Sequence, residues 1–394
     1  MTRRELLASI PAGAAVAQAA KAPPNLLLLS APDAVSIRRL AEGSHPRAIA
    51  IRDAAEVARV KGPWSVTKSR PKDTPAGPND FFSEGPYWWP DPKNPSGPYL
   101  RRDGETNPVR FTANDRDMGQ MSQAVLALGT AAYFFDKPEL ASRAAEVARI
   151  WFVDPATRMN PNLQFGQAVH GKTWGRPEGL IATRALIWML QGVVLAEQSK
   201  GWDPKVSVGL KSWFRDFLQW MTASEIGRGE GDSGNNHASW WTAQGSAFAI
   251  YSGDTKARDR MFEHYRSVLL KQIQPDGSAP REEGRTRSLG YSCFNVAAML
   301  MTCRLAQVNG KDLAHFVSNG ASVLTAVRYL APFTLEPKSW TKPRISKFDA
   351  SKEFYLGLAG LTLGRQDFMQ MQRKTGLTGG VSADLMALVF EASR

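Results

Sequence analysis

Two short stretches of this chain concentrate side chains that together can move a proton beside a carboxylate. Gly234-Asn235-Asn236-His237 follows a Gly/Asp/Ser turn and opens a helix-spaced apolar run, and Arg285, Arg287 and Tyr291 surround the start of another. An Asn amide can donate to a carboxylate, and an Arg can grip both of its oxygens at once. A His or a Tyr can take a proton and return it. A helix N-terminus adds free N–H groups and partial positive charge, which suits an anion. Asn is also an ordinary helix cap. Two Asn and a His, with Trp240 and Trp241 one turn on, exceed what a cap requires. Arg287 and Tyr291 are i and i+4, so they share a face if their helix starts early enough. Basic residues are disfavoured at that end of a helix. An anionic ligand would compensate them, as would the neighbouring Glu282 and Glu283.

A third stretch, Asn79–Pro108, is too rich in Pro and Gly to be a helix. It nevertheless carries Phe81, Phe82, Tyr87, Trp88, Trp89 and Tyr99, with Arg101 and Arg102 behind them. Leaving so many rings in water is costly. They are expected either to plug the domain or to wall a flat ligand with an apolar face and negative charge, as a uronic-acid polymer has. Adjacent side chains in extended backbone point to opposite sides, so one of Trp88 and Trp89 is expected to pack and the other to face the ligand. Gln167 and His170 lie in a long loop near Arg176. Together with Arg287, Tyr87, Trp88, Trp89, Arg101 and Trp240 they are the candidate substrate contacts. His45, His264 and His315 have no partner by motif, and neither HxxxH nor HExxH occurs, so no metal or cofactor is expected. Asp80, Glu84 and Asp91 are the carboxylates from which a glycosidase pair would be drawn.

These segments need a frame. Helix-spaced apolar residues recur in Met118–Phe135, Glu139–Phe152, Leu180–Gln198, Val206–Ala223, Ala238–Ile250, Ala257–Ile273, Leu289–Val308, Leu313–Tyr329, Lys352–Thr362 and Ala383–Glu391. No convincing alternating strand pattern appears. Several helices are apolar on more than one face, Ile181–Leu195 among them, which places them inside a layered arrangement. Repeated helical hairpins predict an all-α fold, an incomplete α/α toroid with inner and outer helices; an irregular bundle is the alternative. Long connections at 60–112, 158–177, 225–236, 274–287 and 332–344 would gather at the ends of the ring and rim a cleft.

The chain has 394 residues and a formal charge of +12. That charge favours an anionic partner. The basic residues are scattered, however, and no zinc-finger, basic-zipper or RNA-binding signature occurs, so nucleic acid is not expected. Arg3 and Arg4 precede a mildly apolar stretch, Leu6–Ala20, that resembles a twin-arginine export signal, with cleavage after Ala19 or Ala22. Residues 1–22 are therefore read as a leader, and 23–394 as one catalytic domain that is periplasmic or secreted. No later segment is expected to span a membrane, and a monomer is expected. Cys293 and Cys303, ten residues apart, would lie about 15 Å apart along one helix, beyond the reach of about 7 Å that a disulfide allows; free buried thiols are expected.

In order, DFFSEGPYWWPDP, GPYLRRDGETNP, RMNPNLQFGQAVHG, GNNHASWW and REEGRTRSLGYSCFN resemble the alginate lyase family of polysaccharide lyases, over roughly Asn79 to Pro343. The resemblance implies an α/α toroid and metal-independent β-elimination from a 4-linked uronic-acid polymer. It implies that the family's Asn-His pair falls on Asn236 and His237, its catalytic Tyr on Tyr291 and its Arg on Arg285, with Arg287 one alignment step away. Asn236 and Arg285 would neutralise the carboxylate. Tyr291 would act as base and then acid, its pKa lowered by cationic neighbours, unless a neutral His237 is the base. Ala238, Trp241 and the loop His170–Trp174 depart from the family's commoner residues, which bears on the substrate more than on the reaction. In mannuronate and glucuronate the proton and the leaving group share a side, which suits one residue for both steps. A glycoside hydrolase on the same toroid and a non-catalytic acidic-glycan-binding protein are the alternatives.

Overall fold

The computed structural model describes residues 26–393; the expected leader lies outside them. Two helices open the described chain, α1 (Ala31–Glu42) and α2 (Pro46–Val60). An irregular segment follows, and then α3 (Ala113–Phe134), α4 (Pro138–Phe152), α5 (Ala185–Ala196), α6 (Pro204–Ala223), α7 (Glu225–Gly231), α8 (Asn236–Ser252) and α9 (Thr255–Ser267). The rest is α10 (Pro280–Glu283), α11 (Ser288–Val308), α12 (Val323–Leu335), α13 (Tyr355–Leu363), α14 (Gln366–Thr375) and α15 (Val381–Ala392).

The helices divide by composition. α3, α5, α8, α11, α13 and α15 are buried on nearly all sides, as a helix apolar all round must be. Each packs on the next in that order, and α15 returns to α2 and α3. α4, α6, α9 and α14 bury one stripe and form the outer layer. The arrangement is the expected α/α toroid, and one continuous apolar core runs through it from Leu26 to Phe390. α3 and α5 meet backbone to backbone: a Cβ on Gly129 would collide with the Gly192 carbonyl, and one on Gly192 with Val125 and Leu126 of α3.

Strand is confined to short pieces that pin the loops. β1 (Phe82–Glu84) pairs in parallel with β4 (Phe165–Ala168). β2 (Trp88–Trp89) pairs antiparallel with β3 (Leu100–Arg101), folding Asn79–Pro108 back on itself. Cys293 and Cys303 are free and buried on α11.

The helix expected at Leu313–Tyr329 starts later. Ser318 and Ala321 close a turn through Asn319 and Gly320, both at positive φ, and a capping box of Ser322 and Thr325 launches α12. That helix then continues through Pro332, where a loop was expected. The 225–236 connection contains α7. By length and apolarity alone Pro177–Ala196 is long enough to cross a membrane, although no apolar run of that length was expected; it forms a 3-10 turn and α5, mostly buried in the fold.

Candidate active site

A cleft of about 1730 Å³ opens along the inner helices and is rimmed by the long loops. Asn236, His237, Arg285 and Tyr291 all line it, together with Tyr87, Arg101, Gln167 and Trp240.

The α8 side is set by its cap. Asn235, not Asn236, is the N-cap, and its side chain accepts from the His237 backbone N–H at 2.9 Å. Asn236 is thereby free of capping, and it is buried against Glu282. The Glu282 carboxylate accepts from the Asn236 backbone N–H at 2.5 Å and from its Nδ2 at 2.9 and 3.0 Å. The Asn236 amide nitrogen is thus committed to Glu282. His237 places Nδ1 2.7 Å from Glu230 Oε1. Burial disfavours a charged ring there, but the charge and hydrogen bond of Glu230, helped by Glu178 and Glu282, outweigh it and raise the His237 pKa above that of ordinary imidazole.

The α11 side is set by the end of the preceding loop. Tyr291 lies in the first turn, and its hydroxyl donates to the Tyr87 hydroxyl at 2.7 Å. Arg285 lies over the Tyr291 ring, its guanidinium carbon 4.0 Å from the centroid. Asp103 holds that guanidinium through Nε at 3.0 Å and the terminal nitrogen at 2.7 Å, and also accepts from the Thr286 hydroxyl at 3.0 Å. Burial alone would raise the Asp103 carboxyl; Arg285 and Thr286 outweigh it and hold its pKa to about 2.

Several expectations are corrected. Tyr291 is not acidified by its surroundings: burial and the Tyr87 hydroxyl push its pKa above the ordinary phenol value, and Arg285 offsets only part of that. Arg287 does not share a helical face with Tyr291, because it is itself the non-helical N-cap of α11 and lies outside the cleft wall. Arg285 is compensated chiefly by Asp103, while Glu283 pairs with Lys342. Neither Trp88 nor Trp89 lines the cleft. Trp88 is clasped by Lys172 and Arg176 at 5.0 and 5.7 Å from its ring, and Trp89 lies under Arg102 and donates to the Glu105 carbonyl. Both brace the loop. His170 is exposed, packs on Tyr99 and stays outside the cleft wall. Gln167 lines the cleft, but both ends of its amide are used, one by Arg176 and one by the Glu178 carbonyl. Trp240 lies in the floor, tilted on Phe294 at 4.9 Å. Asp80, Glu84 and Asp91 each accept backbone N–H groups of the irregular segment, and of the three only Glu84 lines the cleft.

Sequence reasoning missed the partners of the site, Glu230 and Asp103, and the cleft residues Asp115, Arg184 and Glu353. Arg184, the last residue of the 3-10 turn before α5, lines the cleft and acts with Arg110 on Asp115. Burial pushes Asp115 up to about 6 and Glu353 to about 8. Among the described residues no group of three or more His, Cys, Asp or Glu is placed to hold a metal ion.

Residues 65–340 match the alginate lyase family. The chain is similar to an alginate lyase from Bacteroides ovatus whose crystal structure is known, at 31% identity over 93% of this chain and 99% of that one, with a TM-score of 0.85. It also resembles in fold alginate lyase A1-III from Sphingomonas species A1, at 16% identity over 91% and 95% of the two chains and a TM-score of 0.56. A variant of A1-III complexed with a tetrasaccharide matches at 15% identity over 88% and 90%, with a TM-score of 0.57. No curated protein matches the chain by sequence.

Proposed function

From the premise that the chain belongs to the alginate lyase family of polysaccharide lyases, we propose that it cleaves a 4-linked mannuronan-type or glucuronan polymer by β-elimination. The observation that carries this reading is the meeting, in one cleft, of Asn236 and His237 at a helix start with Tyr291 under the Arg285 guanidinium.

The proton on carbon 5 of a uronate is weakly acidic because a carboxylate stands beside it. Charge that builds on that carboxylate as the proton leaves is stabilised by His237 as an imidazolium and by the free edge of Arg285. The Asn236 amide, committed to Glu282, fixes the start of α8 that carries His237. With His237 charged, Tyr291 is the proton carrier. Its phenolate forms when the Tyr87 hydroxyl accepts its proton and releases its own to solvent in the cleft, and Arg285 over the ring offsets part of the cost that burial sets on the ionised form. The carbon 5 proton then passes to Tyr291, the bond between carbon 4 and its oxygen breaks, and a double bond forms between carbons 4 and 5. Tyr291 hands the same proton to the departing oxygen. One carrier serves both steps only when proton and leaving group share a side, as they do in mannuronate and glucuronate but not in guluronate. Cationic side chains supply the neutralisation, so the scheme needs no metal.

The test is a panel of mannuronan, guluronan and glucuronan followed by the ultraviolet absorbance of the unsaturated uronate. Mannuronan or glucuronan should yield it and guluronan should not. New reducing ends without that absorbance would mean hydrolysis, and binding without either product would mean a glycan-binding protein. The Arg3-Arg4 leader is proposed to direct export; mass spectrometry of exported protein that found Met1 intact would overturn it.

A further inference from the structure

Glu230 is a costly side chain to bury beside the cleft. None of its surface reaches solvent, one carboxylate oxygen binds His237 Nδ1 at 2.7 Å, and the other, Oε2, has no hydrogen-bond partner among the described residues. A buried carboxylate left half unpaired destabilises a fold, and an apolar residue of the same size would not. The local sequence is shaped to put it there. α7 is capped by Ser224 and pressed close on two sides by glycines: a Cβ on Gly227 would collide with the Met221 backbone, and one on Gly231 would lie 3.2 Å from the Trp241 ring. Those approaches bring Glu230 beneath the start of α8.

We propose that Glu230 is a positioning residue for the elimination: it takes the Nδ1–H of His237, turns Nε2 to the cleft, and keeps the ring cationic, so that His237 meets the substrate carboxylate as a charge and is not the base. This rests on the reading of the cleft as a uronate lyase site. The other charged groups facing the ring agree with it. Glu178, from the 3-10 turn before α5, and Glu282, from α10, both favour the imidazolium; burial, with Glu178, pushes the Glu230 carboxyl up, while His237 and Arg176 favour its ionised form, so the two charges of the pair depend on each other. Neutralising Glu230 should therefore lower the His237 pKa, so that the cation is lost at a lower pH.

The experiment compares wild type with Glu230→Gln, which keeps the shape and an acceptor for Nδ1–H. In histidine-labelled protein, His237 (assigned through His237→Gln) should titrate above the ordinary value of about 6.5 in wild type and about one unit or more lower in the variant. The variant's kcat should fall about tenfold or more near pH 8 and recover as the pH is lowered, with KM little changed. In a His237→Gln background, Glu230→Gln should add less than about a twofold loss, because its effect runs through that ring. An unshifted titration, or an equal loss at every pH that persists without His237, would reduce Glu230 to a structural role. Should Glu230→Gln not fold, the wild-type titration still decides: a His237 neutral at about pH 7 overturns the proposal. Failure of wild type to make unsaturated uronate from any polymer would instead sink the lyase reading, and the titration would still judge the pair.

Discussion

Replacing Asp103 by Asn tests how the irregular segment is joined to the catalytic side chains. The substitution keeps the shape and removes the charge that fixes Arg285 through two nitrogens. Holding this carboxyl at about 2, against an ordinary value of about 3.9, corresponds to about 2.5 kcal/mol at about 1.4 kcal/mol per unit. About a fifth of each partner's side chain is exposed, and solvent screening reduces the contribution to about 1–2 kcal/mol. The expected loss of melting temperature at neutral pH is about 2–4 °C. Because the folded pKa is depressed, this stability is fully present above about pH 4 and fades as the pH falls through about 2. The gap between wild type and variant should close over the same window. Arg285 would also lose its fixed pose over Tyr291, so kcat should drop about tenfold with a smaller change in KM. Urea midpoints at neutral and acidic pH, with initial rates on a cleaved polymer, measure both. Unchanged midpoints would refute the tether, and a rise in kcat would mean that Asp103 restrains Arg285 from its substrate.

Tyr291→Phe should abolish turnover, by at least the factor of about 10²–10⁴ typical of a proton carrier, while polymer binding measured by calorimetry stays nearly intact; activity within about threefold of wild type would remove Tyr291 from the mechanism. Arg285→Ala should lower kcat more than it raises KM, and Arg287→Ala should leave both close to wild type, since only Arg285 lines the cleft; the reverse outcome in steady-state kinetics would reassign the carboxylate contact. Trp88→Ala should cost about 1–3 kcal/mol in urea unfolding, less than a core aromatic because the ring is half-buried, and Trp89→Ala about 1 kcal/mol for one hydrogen bond and one cation–π contact; selective loss of polymer affinity with full stability would put the rings back in the cleft.

Strong apolar periodicity made the inner helices legible, because a helix buried on every side announces itself in composition. α1 and α2 were not foreseen: their buried faces rest largely on Ala34, Ala41, Ala48, Ala55 and Ala58, with Ile37 and Ile51, and small residues among arginines leave a weak pattern. α7 was hidden by its three glycines, which read as loop but serve close packing. Asn236, His237, Arg285 and Tyr291 could be proposed because residue type and helix position suffice to nominate a donor or a proton carrier. Their partners could not. Asp103 is 182 residues from Arg285 in sequence, and nothing local distinguishes it from Glu105 or Asp91. The Trp88–Trp89 expectation failed because alternation in a strand says which rings diverge, not which side holds the ligand. Here the neighbours that claim both faces, Lys172, Arg176 and Arg102, are fixed by loop pairing.

The meeting of Gly129 and Gly192 has a consequence for how such a cleft can diversify. α3 and α5 both contribute cleft wall, through Gln120 and Gln123 on one and Ala185 and Trp188 on the other, and their separation is set by main chain against main chain. A gap lined with side chains can be tuned by exchanging one residue for a slightly larger one; a gap closed by two backbones has no such intermediate setting. The bore of the toroid on that side behaves as a fixed gauge. Adaptation to a polymer of different width or charge spacing must then come from the parts that hang over the bore, the braced loop of Asn79–Pro108 and its counterparts, where insertions and exchanges leave the helical frame untouched.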